Sequence, residues 1–113
     1  HLRVTLSDDF YVGPGRADLI ELIAETGSIS EAAKRMGMSY KRAWGLVQAL
    51  NEGFGAPLVE TQRGGAGQGG AVVTDAGHEV LKRYRHMQER TRAAIEADVK
   101  ALGKLHADMS RRK

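Results

Sequence analysis

Cysteine is absent from this 113-residue chain. That excludes a disulfide framework and a thiolate metal site, and it fits a reducing cytoplasm. No apolar run approaches the roughly 20 residues that a membrane span needs, so a membrane is not an expected partner. No secretory signal is visible, and because the chain begins at His1 rather than Met, a trimmed start is expected. Charge of neither sign dominates: 17 Lys plus Arg against 14 Asp plus Glu leave a formal +3 and a pI near 9.5. Such a balance permits nucleic acid as a partner without demanding it. Catalytic sets are lacking too. No Ser/His/Asp combination has a context beyond chance, and His78-Glu79 opens like the metalloprotease H-E-x-x-H but has Lys82 at the second ligand position. The chain does not read as an enzyme. Its length suits one domain with a single modest core.

What is present centres on Gly27–Asn51, GSISEAAKRMGMSYKRAWGLVQALN. The spacing predicts two short helices and a tight turn. Ala32, Ala33 and Met36 form the small apolar face of the first, and Gly37 takes the turn, where a residue without Cβ adopts positive φ cheaply. Ser39 is placed to cap the second helix. There Ala43, Leu46, Val47 and Leu50 share one face. Lys41, Gly45 and Gln48 lie opposite, with Arg42 on the flank and Trp44 at the border. A buried face backing a basic, hydrogen-bonding one is what a recognition helix needs to enter a major groove. Gly45 costs such a helix about 1 kcal/mol relative to Ala, which close approach of DNA or of another helix would offset. Trp44 suits packing or stacking on a sugar-phosphate edge.

Taken in order, Leu2–Leu6 alternates like a half-buried strand and Phe10–Val12 gives a second, favouring a small hairpin over loose arms. Gly13-Pro14-Gly15 ends it. A helix is expected from about Arg16 to Thr26, with Leu19, Ile20, Leu22 and Ile23 inward; Gly27 stops it, and Ser28 or Ser30 caps the next. After the recognition helix, Gly53 and Gly55 break the pattern. A strand from Pro57 through Val59 and Thr61 and another at Ala71–Val73 flank the glycine-rich Gly64–Gly70, the layout of a wing. Gly65–Gly70 matches G-x-G-x-x-G, but a strand follows where the dinucleotide motif requires a helix N-terminus, so the match is a coincidence of glycine content. Thr74 caps a final long helix; Gly77 stands where a capping box would place a carboxylate. Leu81, Tyr84, Met87, Ala94, Ile95, Val99, Leu102, Leu105 and Met109 make an apolar stripe that a small domain cannot cover, and a second copy is its expected partner. Gly103 is a candidate bend or early end. Lys82, Arg83, Arg85, Arg90 and Arg92 either flank a DNA backbone or solubilise a dimer.

The SYKRAW run and the segment LVETQRGGAGQGGAVVTDAGHEVL resemble the N-terminal DNA-binding domain of ModE-type molybdate-responsive transcriptional regulators, itself similar to the winged helix of LysR-type regulators. The likeness spans Gly13 to about Tyr84. It implies a mainly α fold with small β: a winged helix-turn-helix in residues 1–74, with N-terminal hairpin and glycine-rich wing, and a long dimerisation helix in 75–113. It also implies a homodimer on a palindromic DNA operator, controlling molybdenum-related genes. Carried over by position, Ser39, Tyr40, Lys41, Arg42 and Trp44 would address DNA from the recognition helix, and Arg63 and Gln68 from the wing. No cofactor is expected within these residues; family members carry separate C-terminal oxyanion-binding β domains, where molybdate would bind. The rival reading is a winged-helix protein-interaction module without DNA binding.

Overall fold

The computed structural model describes residues 1–63 and 69–112, Arg63 and Gly69 as backbone only. Expectations placed on Gly64–Gln68, including a DNA contact from Gln68, lie outside these residues. The N-terminal alternation forms an antiparallel hairpin of β1 (Val4–Ser7) and β2 (Phe10–Val12), with Val4 opposite Val12. A bulge between Thr5 and Ser7 shifts the register and leaves Leu6 53 % exposed, so the alternation of Leu2, Val4 and Leu6 does not continue as one buried face.

Gly13-Pro14-Gly15 opens a helix rather than only closing the hairpin. Helix α1 (Pro14–Thr26) has Pro14 in its first turn, where the missing N–H would have had no helical partner. It ends at Gly27, which takes left-handed φ 69° and donates its N–H to the Ile23 carbonyl. Of the two candidate caps for α2 (Ile29–Arg35), Ser28 is used: its hydroxyl accepts the Glu31 N–H at 3.0 Å. Gly37 turns the chain at φ 68°, and Ser39 caps α3 (Tyr40–Phe54) by accepting the Arg42 N–H at 3.1 Å. Gly53 lies inside α3 instead of breaking it. A side chain there would collide with the Phe10 ring, which stands edge-on to Phe54 at 5.1 Å. Strands β3 (Val59–Arg63) and β4 (Gly69–Val73) pair antiparallel with Val59 opposite Val73. Helix α4 (Asp75–Arg111) is capped by Thr74 and runs through Gly103 without interruption.

Helix α1 lies at the centre. Leu19, Ile20 and Ile23 pack with Ile29, Ala32 and Ala33 of α2, Ala43, Val47 and Leu50 of α3, and Leu58, Val59, Ala71 and Val73 at the wing. Burying each large apolar side chain contributes about 1.5–3 kcal/mol, so α1 organises most of the chain's hydrophobic stabilisation. Val12, Ala17 and Tyr84 form a second buried cluster beneath the hairpin. Tyr84 donates its hydroxyl to the Leu2 carbonyl at 2.6 Å, and burial holds its phenol above the ordinary tyrosine range.

That cluster corrects the reading of the apolar stripe. Leu81 and Tyr84 are covered by their own chain. From Arg92 to Arg112 every residue is exposed, and Ile95, Val99, Leu102, Leu105 and Met109 lie there without cover among the described residues.

Candidate nucleic-acid interface

Helix α3 is amphipathic in the sense a recognition helix requires. Ala43, Val47 and Leu50 are fully buried against α1 and α2, which fixes the rotation of the helix. That rotation puts Lys41, Gly45 and the half-exposed Gln48 on the outer ridge, Arg42 on one flank, and Tyr40 and Trp44 on the other. Tyr40 is 54 % exposed and Trp44 38 %, so Trp44 is not a core residue. Lys41 and Arg42 enter none of the ion pairs among the described residues, whereas Arg35 pairs with Glu31 and Arg83 with Glu79. Among the described residues, and apart from its chain neighbours and the backbone of its own helix, nothing lies within 4 Å of where a Cβ on Gly45 would stand. Crowding inside the molecule therefore does not explain that glycine.

Tyr40 and Trp44 face an open groove of about 470 Å³ between the start of α2, the first turns of α3 and the wing. Ser28, Ser30, Thr61 and Gln62 line it with hydroxyls and an amide. A backbone bond from the Ala71 N–H to the Gly27 carbonyl at 2.9 Å helps hold the wing over this groove, together with Ala71 and Val73 in the core. Gly70 sits so close to that carbonyl that an added Cβ would approach it to 3.3 Å.

Asn51 is a further positioning residue, and the periodicity of α3 did not single it out. Its side-chain oxygen accepts the N–H groups of Leu58 (2.8 Å) and Val59 (3.3 Å), while its amide donates to the Val59 carbonyl (3.0 Å). These bonds set the root of the wing relative to the recognition helix. The sequence signal is slight: an amide side chain eight residues before a strand, identical to what any exposed helix carries. Thr61, Gln62 and Ser30 were missed for the same reason.

Of the sequence-derived candidates, the structure brings Ser39, Tyr40, Lys41, Arg42, Trp44 and Gln48 onto one exposed surface of α3. Arg63 is placed as the last residue of β3, opposite Gly69. The basic cluster on α4 divides. Arg85 reaches back to α1, where it binds Asp18 and Glu21, and Arg83 and Arg92 pair with Glu79 and Glu89 on their own helix. His78 and His86 are exposed, and among the described residues no group of three or more His, Asp or Glu converges as a metal site would. No described helix is long and apolar enough to cross a membrane.

Known proteins resemble the chain over most of its length. The chain is 44 % identical over 91 residues to the molybdenum-pterin-binding protein MopB of Rhodobacter capsulatus, covering 80 % of this chain and 31 % of that protein. It is 35 % identical over 114 residues to the DNA-binding transcriptional dual regulator ModE of Escherichia coli (strain K12), covering 97 % of this chain and 44 % of ModE. The chain thus spans less than half the length of these relatives. Its fold matches the protein in a crystal structure of the CbnR_DBD-DNA complex with a TM-score of 0.59 at 26 % identity, over 77 % of this chain and 94 % of that one. A LysR family transcriptional regulator shares the fold with a TM-score of 0.56 at 19 % identity, over 75 % of this chain and 28 % of that one. Residues 16–78 match the model of the bacterial regulatory helix-turn-helix proteins of the lysR family, and the chain, a winged helix-turn-helix, belongs to that family.

Proposed function

We propose that the chain is the sequence-specific DNA-binding part of a transcription regulator of molybdenum-related genes, acting as a two-fold dimer in the cytoplasm. The observation that carries this reading is the surface of α3, with two cations that form no ion pair among the described residues, Gln48 and a bare Gly45 on its exposed sides and a fully buried back. Lys41, Arg42 and Gln48 address base edges, while Ser39, Tyr40 and Trp44 lie along the sugar-phosphate strand at the groove beneath the wing. Arg63 and Gln68 join them from the wing on the resemblance alone. The likeness to a domain crystallised with DNA and to a regulator named for DNA binding supports the assignment, and the molybdenum link rests on the names of the relatives. The exposed stripe on α4 supports the dimer, whose two recognition helices address half-sites one or two DNA turns apart.

Selection of binding sites from random duplexes tests the reading, followed by titration on the selected operator. Replacing Lys41 or Arg42 by Ala is expected to cost about 1–3 kcal/mol where the side chain makes a bidentate base contact, and to relax preference at that base pair. The double variant should also flatten the dependence of affinity on salt, because fewer counterions are released. Unchanged binding by the double variant would remove α3 from the interface. A chain retained on DNA without steep salt dependence would favour the protein-interaction reading.

Gly45 supplies an independent check. With open space around it, Gly45→Ala is expected to raise the free protein's stability by about 1 kcal/mol through helix propensity. The same variant should bind the operator more weakly, because the added methyl holds the helix backbone away from the base edges. Thermal unfolding and operator titration on one preparation measure both. Tighter binding by the stabilised variant would exclude close backbone approach at this position.

A further inference from the structure

Helix α4 is held to the rest of the chain over its first three turns, by Gly77 at the wing's root and by Val80 and Leu81 against the core. Its last tie among the described residues is at Tyr84 and Arg85. Tyr84 anchors it beneath the hairpin, and the next residue, Arg85, crosses to α1. The Arg85 guanidinium donates to Asp18 at 2.8 Å and to Glu21 at 3.2 Å, and within α4 to Gln88 at 2.9 Å. Partial burial works against its charge, but the two carboxylates outweigh that and hold the guanidinium above its ordinary range. The pairs Arg83–Glu79, Arg92–Glu89 and Lys100–Glu96 each lie along α4 alone and cannot set an angle between two helices. The Arg85 pairs join two helices, and from Arg92 to Arg112 the arm is wholly exposed.

We propose that Arg85 is a positioning residue that fixes the half-site spacing the dimer accepts, by clamping α4 to Asp18 and Glu21 of α1. This rests on the dimer reading given above. The geometry makes spacing sensitive to the joint. The molecule is 24 Å across its shortest axis, and a swing of about 8° moves a face that far away by about 3.4 Å, one base-pair step. Two such joints act in a dimer, so their errors add. A planar guanidinium held by two carboxylates resists that swing better than a single ammonium would.

The lack of cysteine allows two unique labelling sites on the full chain, Glu52→Cys on α3 and Lys104→Cys on α4, both at exposed positions. Spin labels there, diluted with unlabelled protein, report the distance within one chain by double electron–electron resonance. We expect a narrow distribution with Arg85, a broad one with Arg85→Ala, and an intermediate one with Arg85→Lys; Arg85→Asp combined with Asp18→Arg should narrow it again. On palindromic operators whose central spacer is changed by one base pair, the wild type should lose about tenfold in affinity, the order of a mismatched pair. Arg85→Ala should lose less than about threefold while keeping wild-type affinity for a single half-site. A dimer whose Arg85→Ala variant keeps the narrow distance and the sharp spacing preference overturns the clamp. So does a variant that loses affinity equally on half-site and full operator, which marks a purely structural role. A wild-type chain that sediments as a monomer would fail the dimer reading instead, and the spacing role with it, whatever the distances show.

Discussion

Gly77→Glu, the change that would complete a capping box with Thr74, is expected to destabilise the chain by about 1–3 kcal/mol. In isolation it should help: glycine costs a helix about 1 kcal/mol relative to Ala, and a carboxylate at the third helical position adds to the cap. The tertiary contact reverses the sign. Gly77 is buried in the first turn of α4, and any Cβ there would collide with the Leu58 carbonyl oxygen and with Val73. That oxygen cannot retreat freely, because it accepts the Thr74 N–H at 2.9 Å, and the Thr74 hydroxyl ties down the preceding Pro57 carbonyl at 2.7 Å. The same hydroxyl accepts the Gly77 N–H at 3.0 Å, so one small cluster joins the wing's root to the start of α4. Gly77→Ala should destabilise as well, since the clash is already met at Cβ. Urea unfolding of both variants is the measurement, read as a lower midpoint at unchanged slope. A higher midpoint for Gly77→Glu would show that the helix and wing can separate at little cost.

The largest effect is expected from Leu102→Asp combined with Leu105→Asp, which should convert the proposed dimer to a monomer. Leu102 is 67 % and Leu105 49 % exposed in the single chain, so the folded monomer loses little when they become polar. In a two-fold dimer each leucine is buried twice. At about 1.5–3 kcal/mol per fully buried leucine, their loss removes a large share of what must offset the association entropy, roughly 4–15 kcal/mol. Sedimentation equilibrium at micromolar concentration should show a dimer for the wild type and a monomer for the variant, with operator affinity falling toward that of one half-site. A wild-type monomer would sink both the dimer and the two-half-site operator. A variant that dimerises undiminished would place the interface elsewhere on the chain.

Asp98 lies within that arm near the stripe and is exposed in the single chain. A carboxylate brought into an apolar helix pair needs a cationic partner, and it favours registers that supply one. In the proposed dimer the register is therefore expected to follow charge as well as leucine packing.

Local chemistry was legible in the sequence wherever it acts over a few residues. Ser39 and Thr74 cap the helices they were expected to cap, Gly37 takes the left-handed turn, and the apolar period of α3 identified its buried face, because caps, turns and amphipathic faces depend on neighbours one to four residues away. Composition excluded a disulfide framework outright. What the tertiary structure decided are the long-range coincidences. Tyr84 and Arg85 stand side by side in a stretch that read as a uniform stripe and a uniform basic cluster, yet one is buried against Leu2 and Val12 and the other reaches Asp18 and Glu21, partners more than sixty residues away. Gly13-Pro14-Gly15 and Gly53 signal a break by composition, but Pro14 serves at a helix start and Gly53 makes room for Phe10. Asn51 is indistinguishable from a solvent-facing amide until the wing's root is folded beside it. A sequence lists which groups each residue offers; which of them meet depends on chain segments whose separation along the sequence carries no periodic signal.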